Sequence, residues 1–297
     1  MRLLYSESSA GWGGQEIRIL KEALGMRSLG HEVVFAVTKG GGLVAKARAQ
    51  GFTVYELIFQ KKRIIGTLCK LIRILHKHSI DVLSTHSSLD AWIAACAARL
   101  TGIKIVRTRH LSTAIRKGLN STLLYNYLAD FVVTTSTSAA SLICKQAHIP
   151  TNRCVPVATG VDTTQLIVEQ EAVKRIRSEL QLRDGDLLVG TACFVRSWKG
   201  IQDLMHAAHM LKERKDIRWL IVGGGHVQDY KALARSLDLE DVLTFTGHLE
   251  FPFAPIAAMD VFTLLSTAHE GISQASLQAA YLKRPLITTS IGGLPEV

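Results

Sequence analysis

Cysteine, aromatic side chains and long apolar stretches are all scarce in this 297-residue chain. Its five cysteines, Cys69, Cys96, Cys144, Cys154 and Cys193, are odd in number and scattered. None forms a Cys-x-x-Cys pair, so neither a disulfide framework nor a zinc site is expected, and a reducing cytoplasm fits. Aromatics make up 6%, too few for a platform that stacks single-stranded bases. With no zinc-finger spacing, ribonucleoprotein motif or helix-turn-helix pattern, nucleic acid is not an expected partner. The longest apolar runs, such as AWIAACAA before Arg99, fall well short of the roughly 20 residues of a membrane span. The opening MRLLYSES has no cleavable apolar region, so no secretory signal is expected. No low-complexity tract argues for disorder, and no metal-ligand cluster is expected.

Basic charge is in excess. The formal net charge is +10 and the isoelectric point lies near 9.5. This favours an anionic partner: a nucleotide-linked substrate, a membrane surface or, setting aside the absences above, nucleic acid. Hydrophobic residues reach 47%, enough for a core in each of two domains.

Short apolar runs alternate with helical patterns. RLLYS, HEVVFAV, FTVYELI, IDVLSTH, IKIVRTRH, DFVVTTS and RCVPVAT read as strands in the first half. LLVGTACF, IRWLIVGGG, VLTFTGH, VFTLLST and PLITTS do so in the second. The rhythm breaks between Ala158 and Gln170. Alternating strands and helices predict parallel sheets covered on both faces. The expected architecture is therefore two doubly wound α/β domains, residues 1–165 and 166–297, facing each other. Ligands are expected at the carboxyl ends of the strands. The second domain, with about five strands, is expected to be C-terminally incomplete.

Several motifs sit at those strand ends. Gly13 and Gly14 in SESSAGWGGQE open the first helix, where free amides attract phosphate; a tight turn explains them equally well. A dinucleotide fingerprint fits poorly, because the third glycine is missing and the second strand ends in Thr38 and Lys39. His110 follows a strand directly, although a lone histidine is more often structural. Arg107 and Arg109 precede it. Residues 61–78 form a basic amphipathic segment with Ile64, Ile65, Leu68, Leu71, Ile72 and Leu75 on one stripe; core packing explains the stripe, and the charge suits anionic lipid. Lys199 starts a helix with Arg196 nearby, an arrangement suited to a diphosphate. The three glycines of LIVGGGHVQDY repeat that arrangement at the next strand end. Glu270 and, eight residues later, Gln278 are either a surface helix start or a grip on a polar ligand.

Together GWGGQE, the strand-end His110, TGVD, WKG, VGGG, FTGH and HEG…GGLPEV resemble the retaining glycosyltransferases of family four, which have the GT-B fold and elongate glycans and lipopolysaccharides. The resemblance runs from Met1 to Val297. It implies a nucleotide-diphosphate sugar (uridine or guanosine) as substrate, no cofactor and no metal. It further implies that Glu270 grips the donor sugar, Gln278 occupies the ribose position, and the backbone of Gly271, Ile272, Ser273 and Gln274 lies near sugar and phosphates. By the same resemblance Lys199 holds the diphosphate with Arg196 nearby, Gly13 and Gly14 approach it, His110 lies beside the sugar, and Gly247 and His248 meet the base.

The acceptor, a glycan or glycolipid, is expected against the first domain, where Arg107, Arg109, Arg116, Lys117 and the basic helix suit an anionic, membrane-associated molecule. The expected location is cytoplasmic, peripheral on the inner membrane face. Three departures from the family pattern stand out: Gln278 where a second glutamate is usual, Phe194 where an arginine is usual, and the early end after GGLPEV. A truncated, catalytically silent binding remnant and a sugar-nucleotide epimerase of the same fold are the alternatives.

Overall fold

The computed structural model describes every residue except 111–113, 116–117 and 165. The chain forms two compact units, Met1–Ala158 and Thr159–Val297, so the division falls at the start of the segment where the strand–helix rhythm breaks. In the first unit the strands are β1 (Arg2–Glu7), β2 (Glu32–Thr38), β3 (Thr53–Leu57), β4 (Val82–Thr85), β5 (Lys104–Arg109), β6 (Phe131–Thr134) and β7 (Cys154–Pro156). They lie in the order β3-β2-β1-β4-β5-β6-β7, every neighbour parallel. The second unit has β8 (Leu187–Ala192), β9 (Ile217–Val222), β10 (Leu243–Gly247), β11 (Val261–Leu264) and β12 (Leu286–Thr288). Its order is β10-β9-β8-β11-β12, again all parallel.

Burial on both faces explains why the strands read as unbroken apolar runs. In β2, Val33, Phe35 and Val37 pack on one face with Leu3, Tyr5 and the helix Gly14–Ser28. Val34 and Ala36 pack on the other with Leu4, Leu71 and Leu75. The second unit repeats the scheme: Trp219 and Ile221 of β9 point into one core, Leu220 and Val222 into the other.

The basic amphipathic segment forms the helix Ile64–Lys77. Leu71 and Leu75 are buried as the stripe predicts, and Ile74 joins them. Ile64 and Ile65 depart from the expectation: at the helix start they are 41% and 78% exposed, because the first turn runs past the edge of the core. The five cysteines are free thiols. Among the described residues no helix is long and apolar enough to cross a membrane.

In both sheets the chain reverses its direction of winding between two central strands, β1 and β4 in one, β8 and β11 in the other. Crevices at such switch points open at the carboxyl ends of the strands. In the second unit that edge is held by close backbone approach. Gly200 has φ +66°, and a Cβ there would lie 1.9 Å from the Leu265 carbonyl oxygen. Gly223 has φ +137°, and a Cβ would lie 1.8 Å from the Cys193 oxygen. Only glycine satisfies both the left-handed backbone and the missing space.

Gly200→Ala is therefore expected to destabilise the second unit by about 2–3 kcal/mol, the scale of a severe local clash added to backbone strain. Denaturant unfolding of the full chain measures it; an unchanged midpoint would contradict the packing described.

Candidate active site

The carboxyl edge of the second unit gathers Lys199, Glu270 and Ser266. Lys199 ends a short helical turn, Ser197–Lys199, directly before the helix Ile201–Met210. Glu270 follows β11. Three contacts lock the two loops: Gly200 against Leu265, the Thr267 amide donating to the Trp198 carbonyl at 2.9 Å, and the Trp198 ring edge-on to His269 at 5.3 Å. With the backbones fixed, the Lys199 ammonium donates to Glu270 Oε1. The Ser266 hydroxyl donates to the same oxygen at 2.6 Å. Glu270 is 5% exposed. A carboxylate this deep is tolerable because it has both a cation and a hydroxyl partner.

Most of the other expected donor residues lie on the same unit, whereas Gly13, Gly14 and His110 belong to the first. Ser273 caps the helix Gln274–Tyr281, its hydroxyl accepting from the Ser276 amide at 3.3 Å. Gly271 and Ile272 lead into it, and Gln278 lies on it, half-buried. Gln274 turns elsewhere: its amide donates to the Gly160 carbonyl at 3.0 Å. Arg196 does not join Lys199. Its guanidinium lies over the rings of Phe194 (4.7 Å) and Trp198 (5.2 Å), beside a cavity of about 590 Å³ that Tyr230 and His226 also line.

The VGGG glycines serve loop packing. Gly223 and Gly225 give way to the carbonyls of Cys193 and Val195, and the Gly223 amide donates to the Gly247 carbonyl at 2.9 Å. Gly247 kinks out of β10 with φ +73°, and His248 after it is exposed.

Asp184 and Asp186 have the Asp-x-Asp spacing of some metal sites. They precede β8, at the edge opposite Lys199, and Asp186 accepts from the Arg183 amide at 2.9 Å in a turn. No cluster of three His, Cys, Asp or Glu occurs among the described residues.

In the first unit Gly13 is the residue before the helix Gly14–Ser28, and its amide is already bonded to the Glu16 carboxylate at 2.9 Å. Gly14 has open space around its Cα. His110 follows β5 as expected, and it has a partner no sequence pattern revealed. His86, directly after β4, is 3% exposed, and its Nδ1 lies 3.1 Å from His110 Nε2. The rings stack at 5.3 Å. Burial, followed by the charges of Arg18 and Arg107, pushes the His110 imidazole down to about 3. Burial, then His110 and the two arginines, pushes His86 well below its ordinary value too. Both rings are neutral at physiological pH.

Beneath them lies a buried acid pair, Glu7 at the end of β1 and Asp90 in the helix Ser88–Leu100. Asp90 accepts from the His86 and Ser87 amides, both at 3.0 Å, and from the Ser6 hydroxyl at 3.0 Å. Glu7 accepts from Ser87 and Gln15 side chains and from the Ser9 amide at 2.6 Å. Burial, then the neighbouring Glu7, pushes the Asp90 carboxyl up to about 7; burial raises Glu7 as well. The one legible trace of this network is Ser87-x-x-Asp90, a capping-box spacing. Arg107, Arg109 and His110 line a cavity of about 660 Å³ in this unit. Arg116 and Lys117 lie outside the described residues.

Comparison with known proteins agrees with this architecture. The profile of Glycosyltransferase Family 4 matches residues 12–165, and that of Glycosyl transferases group 1 matches residues 186–297. N-acetyl-alpha-D-glucosaminyl L-malate synthase of Bacillus anthracis is 24% identical over 237 residues, 77% of this chain and 61% of that protein. Alpha-monoglucosyldiacylglycerol synthase of Streptococcus pneumoniae is 25% identical over 201 residues, 60% of this chain and 44% of that one. The chain thus spans less than two thirds of the length of either curated relative. Among solved structures, Anabaena Alr3699/HepE in complex with UDP and glucose superposes with a TM-score of 0.84 at 18% identity, covering 100% of this chain and 82% of the other. At that identity the likeness establishes the GT-B fold and no more.

The raised Asp90 value fixes the sign of a pH effect. The unfolded carboxyl titrates near 3.9, so the folded protein binds the extra proton between about pH 4 and 7. That contribution is complete below the unfolded value and is lost as pH rises to about 7. Asp90→Asn should therefore gain stability relative to the parent as pH rises through this window. Urea titrations at stepped pH test it, and curves that stay parallel would refute the assignment.

Proposed function

The chain belongs to Glycosyltransferase Family 4, and from that we propose that it transfers a sugar from a nucleotide-diphosphate donor to a glycan or glycolipid acceptor. The observation that carries the donor site is the buried Lys199–Glu270 pair at the switch point of the second unit. Lys199 offers its ammonium to the diphosphate, and the amides at the start of the helix Ile201–Met210 add their dipole. As the glycosidic bond breaks, negative charge gathers on the leaving diphosphate, where this fixed positive charge is worth most. Glu270 accepts hydrogen bonds from sugar hydroxyls while Ser266 and Lys199 hold it in place. Gln278 offers an uncharged carbonyl and amide to the ribose.

We infer retention at the anomeric carbon, the acceptor hydroxyl entering on the face the diphosphate leaves, with a phosphate oxygen taking its proton. No metal is needed in this scheme, since Lys199 and the helix amides supply the charge. The solved relative in complex with UDP and glucose supports a uridine diphosphate hexose as donor.

The acceptor is assigned to the first unit. Its cavity is lined by hydrogen-bonding groups around neutral His110, suited to sugar hydroxyls. A glycolipid acceptor is supported by the diacylglycerol named in one relative. Synthesis of lipopolysaccharide or another cell-surface glycan on the inner membrane face follows from such an acceptor. Exposed Ile64 and Ile65, beside Lys61, Lys62 and Arg63, suit shallow docking on anionic lipid.

Lys199→Ala and Glu270→Ala should each raise the transfer barrier by about 2–4 kcal/mol. Turnover near that of the parent in either variant would remove the donor assignment. Transfer should continue in excess EDTA, with the product's anomeric configuration by proton NMR matching the donor's. Sedimentation with vesicles should show preference for phosphatidylglycerol over phosphatidylcholine, reduced in Ile65→Ser; equal recovery with both lipids would rule out the membrane role.

A further inference from the structure

Among the described residues of the first unit, one buried cation makes no salt bridge. Arg107, in β5, is 4% exposed. Its Nη1 donates to the Ser87 carbonyl at 3.2 Å, its guanidinium lies over the Tyr125 ring at 5.0 Å, and its Nε has no hydrogen-bond partner. Among the described residues no carboxylate forms a salt bridge with it. Asp90 feels its charge but is engaged by two amides and two hydroxyls.

Burying a guanidinium without an anion is costly, and such groups are normally paired. Arg107 faces no sealed core; it lines the cavity of about 660 Å³ together with Arg109, His110, Asn120 and Tyr125. Arg109 donates to the Tyr125 hydroxyl at 3.4 Å, so one aromatic ring braces both arginines at the cavity wall. The walls thus place two permanent cations beside two uncharged imidazoles. A neutral sugar would leave Arg107 unpaired. A carboxylate or phosphate would supply the counter-charge that a sugar hydroxyl lacks.

We propose that this cavity is an oxyanion subsite of the acceptor, with Arg107 as its principal contact and Arg109 as its second. The acceptor is then a sugar or lipid that bears a carboxylate or phosphate. This deepens the acceptor assignment of the first unit and rests on it.

The test is equilibrium binding of small anions to the full chain by calorimetry, with inorganic phosphate and succinate as probes and glycerol as the uncharged control. Both anions should bind and glycerol should not. Arg107→Gln should weaken binding about thirtyfold, the lower end for loss of one charged hydrogen-bond partner. Should that variant fail to fold, Asn120→Asp decides. It places a negative charge on the exposed rim at nearly constant shape, and should weaken both anions while circular dichroism stays unchanged. Anion binding that is absent from the parent, or indifferent to both substitutions, overturns the proposal. Competition by UDP would overturn it differently, by showing that the cavity takes the donor's phosphates. None of these outcomes depends on turnover, so failure of the transferase reading shows separately, in the Lys199 and Glu270 variants.

Discussion

A parallel strand can reach its neighbour only by crossing over the sheet, and that constraint shapes both units. Every strand-to-helix turn leaves at one edge, and every helix-to-strand return comes back at the other. Chemistry-bearing residues are therefore collected without long-range design: Glu7, His86, Arg107 and His110 follow or end β1, β4 and β5, and Lys199 and Glu270 follow β8 and β11. The apolar strands supply the rigidity. A side chain at the end of a strand buried on both faces inherits the position of the sheet.

The two edges use their buried charges in opposite ways. On the second unit a cation and an anion neutralise each other, so the edge is locally balanced before any ligand arrives. On the first unit the acids are pushed towards protonation and the histidines away from it, while the arginines keep their charge. The result is a cluster whose acids and imidazoles are both shifted towards their neutral forms. Burial favours the neutral form of each group, so the acids tend to hold their protons and the imidazoles to lose theirs, whereas a guanidinium does not give up its proton.

The strand segments, their parallel doubly wound class and the presence of two units were legible in the sequence because they depend on local apolar runs and on turn motifs a few residues long. Burial at a distance was not. His86 and His110 are separated by a whole helix and strand, and nothing in either neighbourhood announces that they touch. Asp90 reads as a helix cap, which it is, yet its pKa depends on Glu7 from another strand. The VGGG run reads as a phosphate loop, and only the packing shows its glycines making room for carbonyls of the adjoining loop. Phe194 looked like the loss of a positive charge; the ring instead supports the arginine two residues on.

That crowding at Gly200, Gly223 and Gly225 has a consequence for how the protein can change. Three positions lining one edge have no room for a side chain, so substitution there costs stability before it alters recognition. Diversity in what this edge binds is confined to residues flanking the glycines, among them Phe194, Arg196, His226 and Tyr230, which line the cavity beside them. The edge separates an invariable frame from replaceable fittings, and new specificities arise by exchanging the fittings.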